Sequence, residues 1–405
     1  MQYITGGICA AKGFKASGIH VGVKTSNTDK KDLALIVADR VCNTAAVYTK
    51  NLVKAAPLII TQNHLSDGKA RAVIVNSGNA NACAPNGEKH AISCCQKVAE
   101  LMGIEASDVL VSSTGVIGQE LPVDVILGGV ESLVSNLSPD ASDDAAVAIM
   151  TTDLTMKQTA AELLIGGKTV KIGGIAKGSG MIHPNMGTML GFLTTDCAIS
   201  SEMIQKALVE ATNVSFNRVS VDGDTSTNDM LCLMASGLAE NPEITSECDD
   251  FYLFVNALKA ICTELAKKIA ADGEGATHLI TCKCGGAKSE EQAEALSKSV
   301  ISSTLVKAAM FGADANWGRV LCAMGYSGVD FDQNKVTVAF ESEAGRVVVC
   351  ENGRGLKFDE DLAKKILQAH EIIIDININQ GKAGCTCWGC DITYDYIKIN
   401  GDYRT

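Results

Sequence analysis

The sequence predicts an α/β fold built on layered mixed sheets, and three observations carry that expectation. Strand-like and helix-like segments alternate along the 405 residues with no internal repeat or low-complexity tract. Some segments alternate with period two, as Val336–Phe340 does, and others place apolar residues on one helical face, as Ile92, Cys95, Val98, Ala99 and Met102 do. Hydrophobic residues make up 46% and charged residues 20%, which places the chain among globular proteins rather than disordered ones. At this length two or perhaps three domains are expected, enough to bury a sizeable core.

The elements follow in order. Asp32–Ala38 and Ala45–Thr49 read as strands. Ala72–Val75 is an apolar run that stops at Asn76-Ser77-Gly78-Asn79, and Val109–Val111 stops at Ser112-Ser113-Thr114-Gly115. Buried strands that end in small polar residues and glycine suggest a site at strand ends. Between them Ile92, Cys95, Val98, Ala99 and Met102 share one face of a helix over Lys89–Met102. Leu163–Ile172 carries a hairpin signal centred on Gly166-Gly167. Gly167-Lys168-Thr169 lacks the upstream glycine of a phosphate loop, so that reading is rejected. Helices are expected near Glu202–Ala211 and through Phe254, Leu258, Ile261, Leu265 and Ile269, stopping at Asp272-Gly273. Ser289 with Gln292 forms a capping-box pattern, and Val336–Phe340 and Ile374–Ile378 alternate as strands.

Charge and cysteine usage narrow the function. A net charge of −12 disfavours nucleic acid and anionic membrane surfaces as partners. No apolar run approaches the roughly 18–20 residues of a membrane span, and the N-terminus shows no basic-then-apolar signal, so a cytoplasmic protein is expected. The 16 cysteines fall below the density of disulfide scaffolds. Cys282, Cys284, Cys385, Cys387 and Cys390 have short spacings, but Cys-Lys-Cys and Cys-Thr-Cys are not zinc knuckles. Buried reduced thiols are the expectation, with a thiol-rich metal-binding protein as the rival.

The chemistry centres on Lys177-Gly178-Ser179-Gly180-Met181-Ile182-His183-Pro184-Asn185-Met186-Gly187-Thr188-Met189. Its glycines and proline exclude regular helix and put Lys177 in a loop. A threonine hydroxyl needs a base to become a nucleophile, and one source is the α-amine of the same residue, freed by chain cleavage. Cleavage between Gly187 and Thr188 would supply it, since a glycine at the scissile position tolerates strained geometry. Asp222, Asp224, Asn228 and Asp229 form an acidic, polar cluster whose spacing is not that of a calcium loop, and a structural hydrogen-bond network is expected. His183 lies five positions before Thr188 and reads as a loop residue.

The loop Ile175–Leu190 resembles the self-cleavage signature of the ornithine acetyltransferase (glutamate N-acetyltransferase) family. The resemblance extends over Gly6–Phe14, Asn76–Cys83, Ser113–Gly118, Thr151–Asp153, Phe216–Asp229, Gly273–Thr277, Asp314–Arg319 and Trp388–Thr405. It implies a self-processing Thr-nucleophile fold of that family's own type. It further implies an α chain (1–187) and a β chain (188–405), two of each forming a heterotetramer. Thr188 would take acetyl from N2-acetyl-L-ornithine and pass it to L-glutamate. The hydroxyl of Thr114 and the backbone N–H of Gly115 would form the oxyanion hole, a kind of donor worth roughly 3–4 kcal/mol each. Thr151, Thr152, Lys177, Glu274, Asn400 and Thr405 would contact substrate. No metal or cofactor is implied, although some members accept acetyl-CoA as a second donor. The family usually has alanine where Gly187 stands, which gives an expectation of slower or incomplete cleavage. From the residues alone, a self-processing peptidase or amidohydrolase stays open beside the transferase.

Overall fold

The computed structural model describes residues 1–24, 29–183 and 189–402. Two mixed sheets organise them, and the expected α/β layering is borne out. The strands in chain order are β1 (Gln2–Ile4), β2 (Phe14–Ile19), β3 (Leu33–Tyr48), β4 (Lys69–Asn79), β5 (Val109–Val116), β6 (Lys157–Ile165), β7 (Lys168–Lys177) and β8 (Leu190–Thr195). Then come β9 (Val219–Ser220) and β10 (Met230–Ala235). The remainder are β11 (Leu279–Ala287), β12 (Thr337–Ser342), β13 (Gly345–Glu351), β14 (Arg354–Gly355), β15 (Glu371–Asn377) and β16 (Ala383–Cys390). The first sheet has nine strands in the order β1-β6-β7-β8-β10-β3-β4-β5, with β2 also on β3; the second has seven, β14-β13-β12-β15-β11-β16-β9.

Side-chain alternation decides which face meets which helix. Leu33, Leu35, Val37, Ile74, Val109 and Val111 pack beneath the helices Gly87–Met102 and Val123–Ser135. Their neighbours Ala34, Ile36, Val73, Val75 and Leu110 point to the opposite face, toward Ile8 and Ala145–Ile149. Farther along the same sheet, Ala45, Val47, Leu231 and Leu233 lie against Ser201–Asn213 and the long helix Asp249–Ala271. In the second sheet Ile280, Cys282, Phe340, Ile372 and Ile374 face the helices Glu290–Ser302, Thr304–Phe311, Trp317–Gly325 and Glu360–Leu367.

Several expectations need adjusting. The two short strands expected over 32–49 are one 16-residue strand, β3, because β4 pairs along both halves across a register shift between Val37 and Cys42. The apolar runs at 72–75 and 109–111 do not stop where their polarity changes. β4 and β5 continue in parallel through Asn79 and Val116. Lys177 is the last residue of β7 and not part of a loop. The hairpin is as expected, with Gly166 and Gly167 both at positive φ between β6 and β7. Ser289 caps its helix by accepting from Gln292 N, but Gln292 reaches back to the N–H of Lys288 rather than of Ser289.

The short-spaced cysteines occupy adjacent antiparallel strands, Cys282 opposite Cys387 and Cys284 opposite Cys385, all buried and free. Among the described residues no group of His, Cys, Asp or Glu is arranged to hold a metal ion. None of the described helices is long and apolar enough to cross a membrane.

Strands from both sides of position 188 share the first sheet: β7 pairs β8 antiparallel, and β3 pairs β10. Two segments divided there would therefore remain joined by strand hydrogen bonds and a common core.

Candidate active site

One cavity, with about 700 Å³ of empty space, opens where the polar tips of β4 and β5 meet the end of β7. Thr114, Gly115, Thr151, Thr152, Lys177, Glu274 and Asn400 all line it. These residues come from five separate stretches of chain, and their sequence spacing alone does not bring them together. Gly187, Thr188 and Thr405 fall outside the described residues. Leu190, which opens β8, and Met189 before it are part of the wall.

The polar tips stay in register through side-chain bonds that replace a loop. Ser113 Oγ donates to Asn76 Oδ1 at 2.5 Å, and Asn76 Nδ2 donates to Asn79 O at 2.8 Å. Asn228 Nδ2 donates to both Ala80 O and Ser113 O, at 2.6 and 2.8 Å, and so ties the segment before β10 to the tip of β5. Gly115 has φ +131°, and a Cβ there would lie 2.3 Å from the carbonyl carbon of Gly78. Only glycine lets the two tips approach this closely.

Lys177 is buried at the end of β7, with Nζ 3.4 Å from Thr114 Oγ1. Burial lowers its pKa, opposed chiefly by the nearby Asp153 carboxylate. Asp153 stays ionised well below the usual range. Its burial is outweighed by Lys177 and Lys157 and by a hydrogen bond from the Thr151 amide. Lys157 Nζ, wholly buried, donates to Asp153 Oδ1 at 2.7 Å and also to Asp272. Asp153 Oδ1 in turn accepts from Gly178 N at 2.7 Å, while Asp272 accepts from Leu154 N and Thr155 N. The buried ion network thus fixes both the Thr151-Thr152 turn and the chain leaving β7.

Glu274 faces the same space. Its amide donates to Ser179 O, and Oε2 accepts from Asn400 Nδ2 at 2.8 Å, which anchors the C-terminal helix Tyr394–Asp402 over the cavity. A Cβ on Gly180 would sit 2.3 Å from Glu274 Oε2, so the glycine is what admits the carboxylate. Met181, also in the wall, takes a left-handed φ of 56°. It is held there by Asp222, whose carboxylate accepts from Met181 N and Ile182 N.

The arrangement offers hydroxyl and backbone groups at one end, a desolvated cation in the middle and a carboxylate at the other end. Such a set suits a small zwitterionic substrate. The ArgJ family profile matches residues 15–405. The chain belongs to the ArgJ family. Among curated relatives, the "arginine biosynthesis bifunctional protein ArgJ" of Caldanaerobacter subterraneus subsp. tengcongensis is 49% identical over 406 residues, covering 100% of both chains. The Bacillus subtilis protein of the same name is 48% identical, over 99% of this chain and 97% of its own. A solved structure of Mycobacterium tuberculosis ornithine acetyltransferase complexed with ornithine is 41% identical, covers 44% of this chain and 95% of its own, and has a TM-score of 0.41.

In this ArgJ-family chain the structure also locates residues that sequence reasoning passed over. Lys157 was unremarked, Asp272 was noted only as a helix stop, and Asp153 only as part of a matching segment. Lys24 donates from Nζ to Met150 O at 2.7 Å, just before the Thr151-Thr152 turn, and burial lowers its pKa to about 8. A lysine at the head of an apolar strand, as Lys157 is, was the available signal for a buried ion pair. His183 does not line the cavity; its Nδ1 lies 3.0 Å from Ser220 Oγ, and burial lowers its pKa to about 4. Of the acidic cluster, Asp222 supports backbone as expected, but Asp229 and Asn228 reach the cavity.

Proposed function

We propose that this ArgJ-family chain, an acyltransferase of arginine biosynthesis, works through a threonine made competent by self-cleavage. Thr188 attacks the carbonyl of Gly187 and the resulting ester is hydrolysed, leaving an α chain (1–187) and a β chain (188–405) whose first residue is the nucleophile. The freed amine serves as general base, its neutral fraction raised by the neighbouring Lys177 cation. Acetyl moves from N2-acetyl-L-ornithine to the Thr188 hydroxyl, ornithine leaves, and L-glutamate takes the acetyl from the ester.

The convergence on one cavity of Thr114, Gly115, Thr151, Thr152, Lys177, Glu274 and Asn400 carries this reading. The Thr114 hydroxyl and the Gly115 N–H stabilise the tetrahedral oxyanion. Lys177 binds the substrate carboxylate with Thr151 and Thr152, while Glu274 takes the substrate ammonium. Asn400 and Thr405 close the acceptor side. No metal or organic cofactor takes part, and acetyl-CoA is a second donor, in keeping with the bifunctional name of the relatives. Two α and two β chains assemble as a heterotetramer in the cytoplasm.

The test joins mass and assay. Under denaturing conditions the purified protein should give two fragments, the larger beginning at Thr188, and Thr188→Ala should stay intact and inactive. Acetyl release from acetylornithine should depend on glutamate. Release to water at a rate indifferent to glutamate would instead establish an amidohydrolase.

A further inference from the structure

The Glu274 carboxylate presses on Gly180, where a Cβ would meet its two oxygens at 2.3 and 2.6 Å. Two pieces of chain hold it in that direction. One is the stretch 179–182, joined to it by the bond from Glu274 N to Ser179 O at 2.9 Å. The other is the C-terminal helix Tyr394–Asp402, which reaches Oε2 through Asn400. That helix rests on Gly275, where a Cβ would lie 2.6 Å from Tyr396 N. Met181 follows Gly180 with a φ of 56°, a conformation that residues with a Cβ resist. The group that holds it there does not line the cavity. Asp222 accepts from Met181 N at 2.6 Å and from Ile182 N at 2.9 Å. The same carboxylate accepts from Asp224 N at 3.2 Å, closing a turn on its own chain. Val221 N donates to Ile182 O at 2.7 Å and Thr225 Oγ1 to His183 O at 2.9 Å, so the two segments are stapled together. Asp222 also faces the second support: burial first, and then the Asp222 charge, raise the pKa of Tyr396 on the C-terminal helix.

We propose that Asp222 is a positioning residue for the site that receives the substrate ammonium. By pinning Met181 in its left-handed conformation it keeps Gly180 against the Glu274 carboxylate, and so fixes where that carboxylate points. The inference rests on Glu274 as the partner of the ammonium and adds the group that aims it. Asp222 itself touches no substrate and makes or breaks no bond. Its loss should therefore weaken recognition of the ammonium and leave acyl transfer intact. N2-acetyl-L-ornithine carries its free ammonium at the end of the side chain. The property at stake is discrimination between that donor and the same molecule without the ammonium.

The measurement is kcat/KM per cleaved chain for two donors, with glutamate as acceptor. The donors are N2-acetyl-L-ornithine and N2-acetyl-L-norvaline, which has the same carbon chain and no ammonium. Asp222→Asn keeps one acceptor oxygen and cannot hold both backbone N–H groups. It should lower kcat/KM for acetylornithine roughly 10-fold and leave that for acetylnorvaline within about twofold. Adding Met181→Gly, which takes a positive φ freely, should restore most of the loss, whereas a loss through charge alone would persist. Equal falls for both donors, or no recovery with the glycine, overturn the proposal. If Asp222→Asn fails to fold or to cleave, Met181→Ile decides, because a β-branched residue resists that φ with Asp222 intact. It should show the same selective fall, and parent-like discrimination overturns the proposal. Glu274→Gln separates the two readings. A selective fall there with none in Asp222→Asn defeats only the positioning role. Equal falls for both donors in Glu274→Gln defeat the ammonium site and this inference with it.

Discussion

The two sheets bury very different things. Around the cavity end of the nine-stranded sheet lie Lys157, Asp153, Lys177, Asn228 and Asp229, all less than a tenth exposed. The core cluster of the seven-stranded sheet is aliphatic side chains, Phe340 and cysteines such as Cys282 and Cys387. Buried charge is expensive and packed hydrocarbon is not, so the contrast separates the part of the molecule proposed to perform chemistry from the part that holds it in place. The second sheet nevertheless delivers two cavity residues. Glu274 stands before β11, and Asn400 follows β16.

If that division is right, the largest effect comes from the ion network. Lys157→Met keeps the volume but strands Asp153 and Asp272, and roughly 3–5 kcal/mol of stability should be lost in a denaturant titration. A loss below about 1 kcal/mol would mean that the carboxylates are not held buried and charged. Next comes Gly115→Ala, whose new Cβ would lie 2.3 Å from Gly78 carbon. Forcing the tips of β4 and β5 apart moves the Gly115 N–H, and kcat should fall about 100-fold, the scale of a lost oxyanion donor. Parent-like kcat would remove Gly115 from the oxyanion hole.

The same contrast explains what could be read from the sequence. Periodicity found the hairpin at Gly166-Gly167 and the helix through Phe254 and Ile269, because apolar spacing records burial directly. It misplaced the ends of β4 and β5, since the polar residues there are inside the sheet and satisfied by one another, as Ser113 and Asn76 are. Thr114 and Lys177 stand out in the sequence, at a polar strand end and at the head of the glycine-rich segment, but Glu274 and the convergence of all three on one cavity were legible only through resemblance; separation in sequence hides convergence in space. Asp229 was read as part of a structural hydrogen-bond network, and its place in the cavity wall was not legible in the sequence. Residues 184–188 and 403–405 contain Gly187, Thr188 and Thr405, and these stay with the sequence argument.

A smaller effect tests the junction between the sheets. His183 bonds to Ser220 on β9, an edge strand of the second sheet. Burial lowers its pKa from 6.5 to about 4, so the unfolded chain binds its proton first as pH falls. The stability owed to a neutral His183 is therefore present above about pH 6.5 and is lost progressively down to about pH 4. His183→Gln, which keeps a hydrogen-bonding side chain and cannot titrate, should flatten that part of the stability profile. An unchanged acid slope would show that other groups set it.

The smallest expected effect is the sharpest on the division itself. Ile374 is fully buried on β15 among the aliphatic side chains of the second core. Ile374→Val removes one methylene group and should cost about 0.5–1.5 kcal/mol. Its neighbours are hydrocarbon and it shares no partner with Lys157 or Lys177, so the loss should add to that of Lys157→Met within about 0.5 kcal/mol. kcat and KM for acetyl transfer should not change, because a packed frame a few tenths looser still holds Glu274 and Asn400 in place. A fall in kcat with KM unchanged would mean that the second sheet tunes the chemistry through its packing, and the separation of frame from site would have to be redrawn.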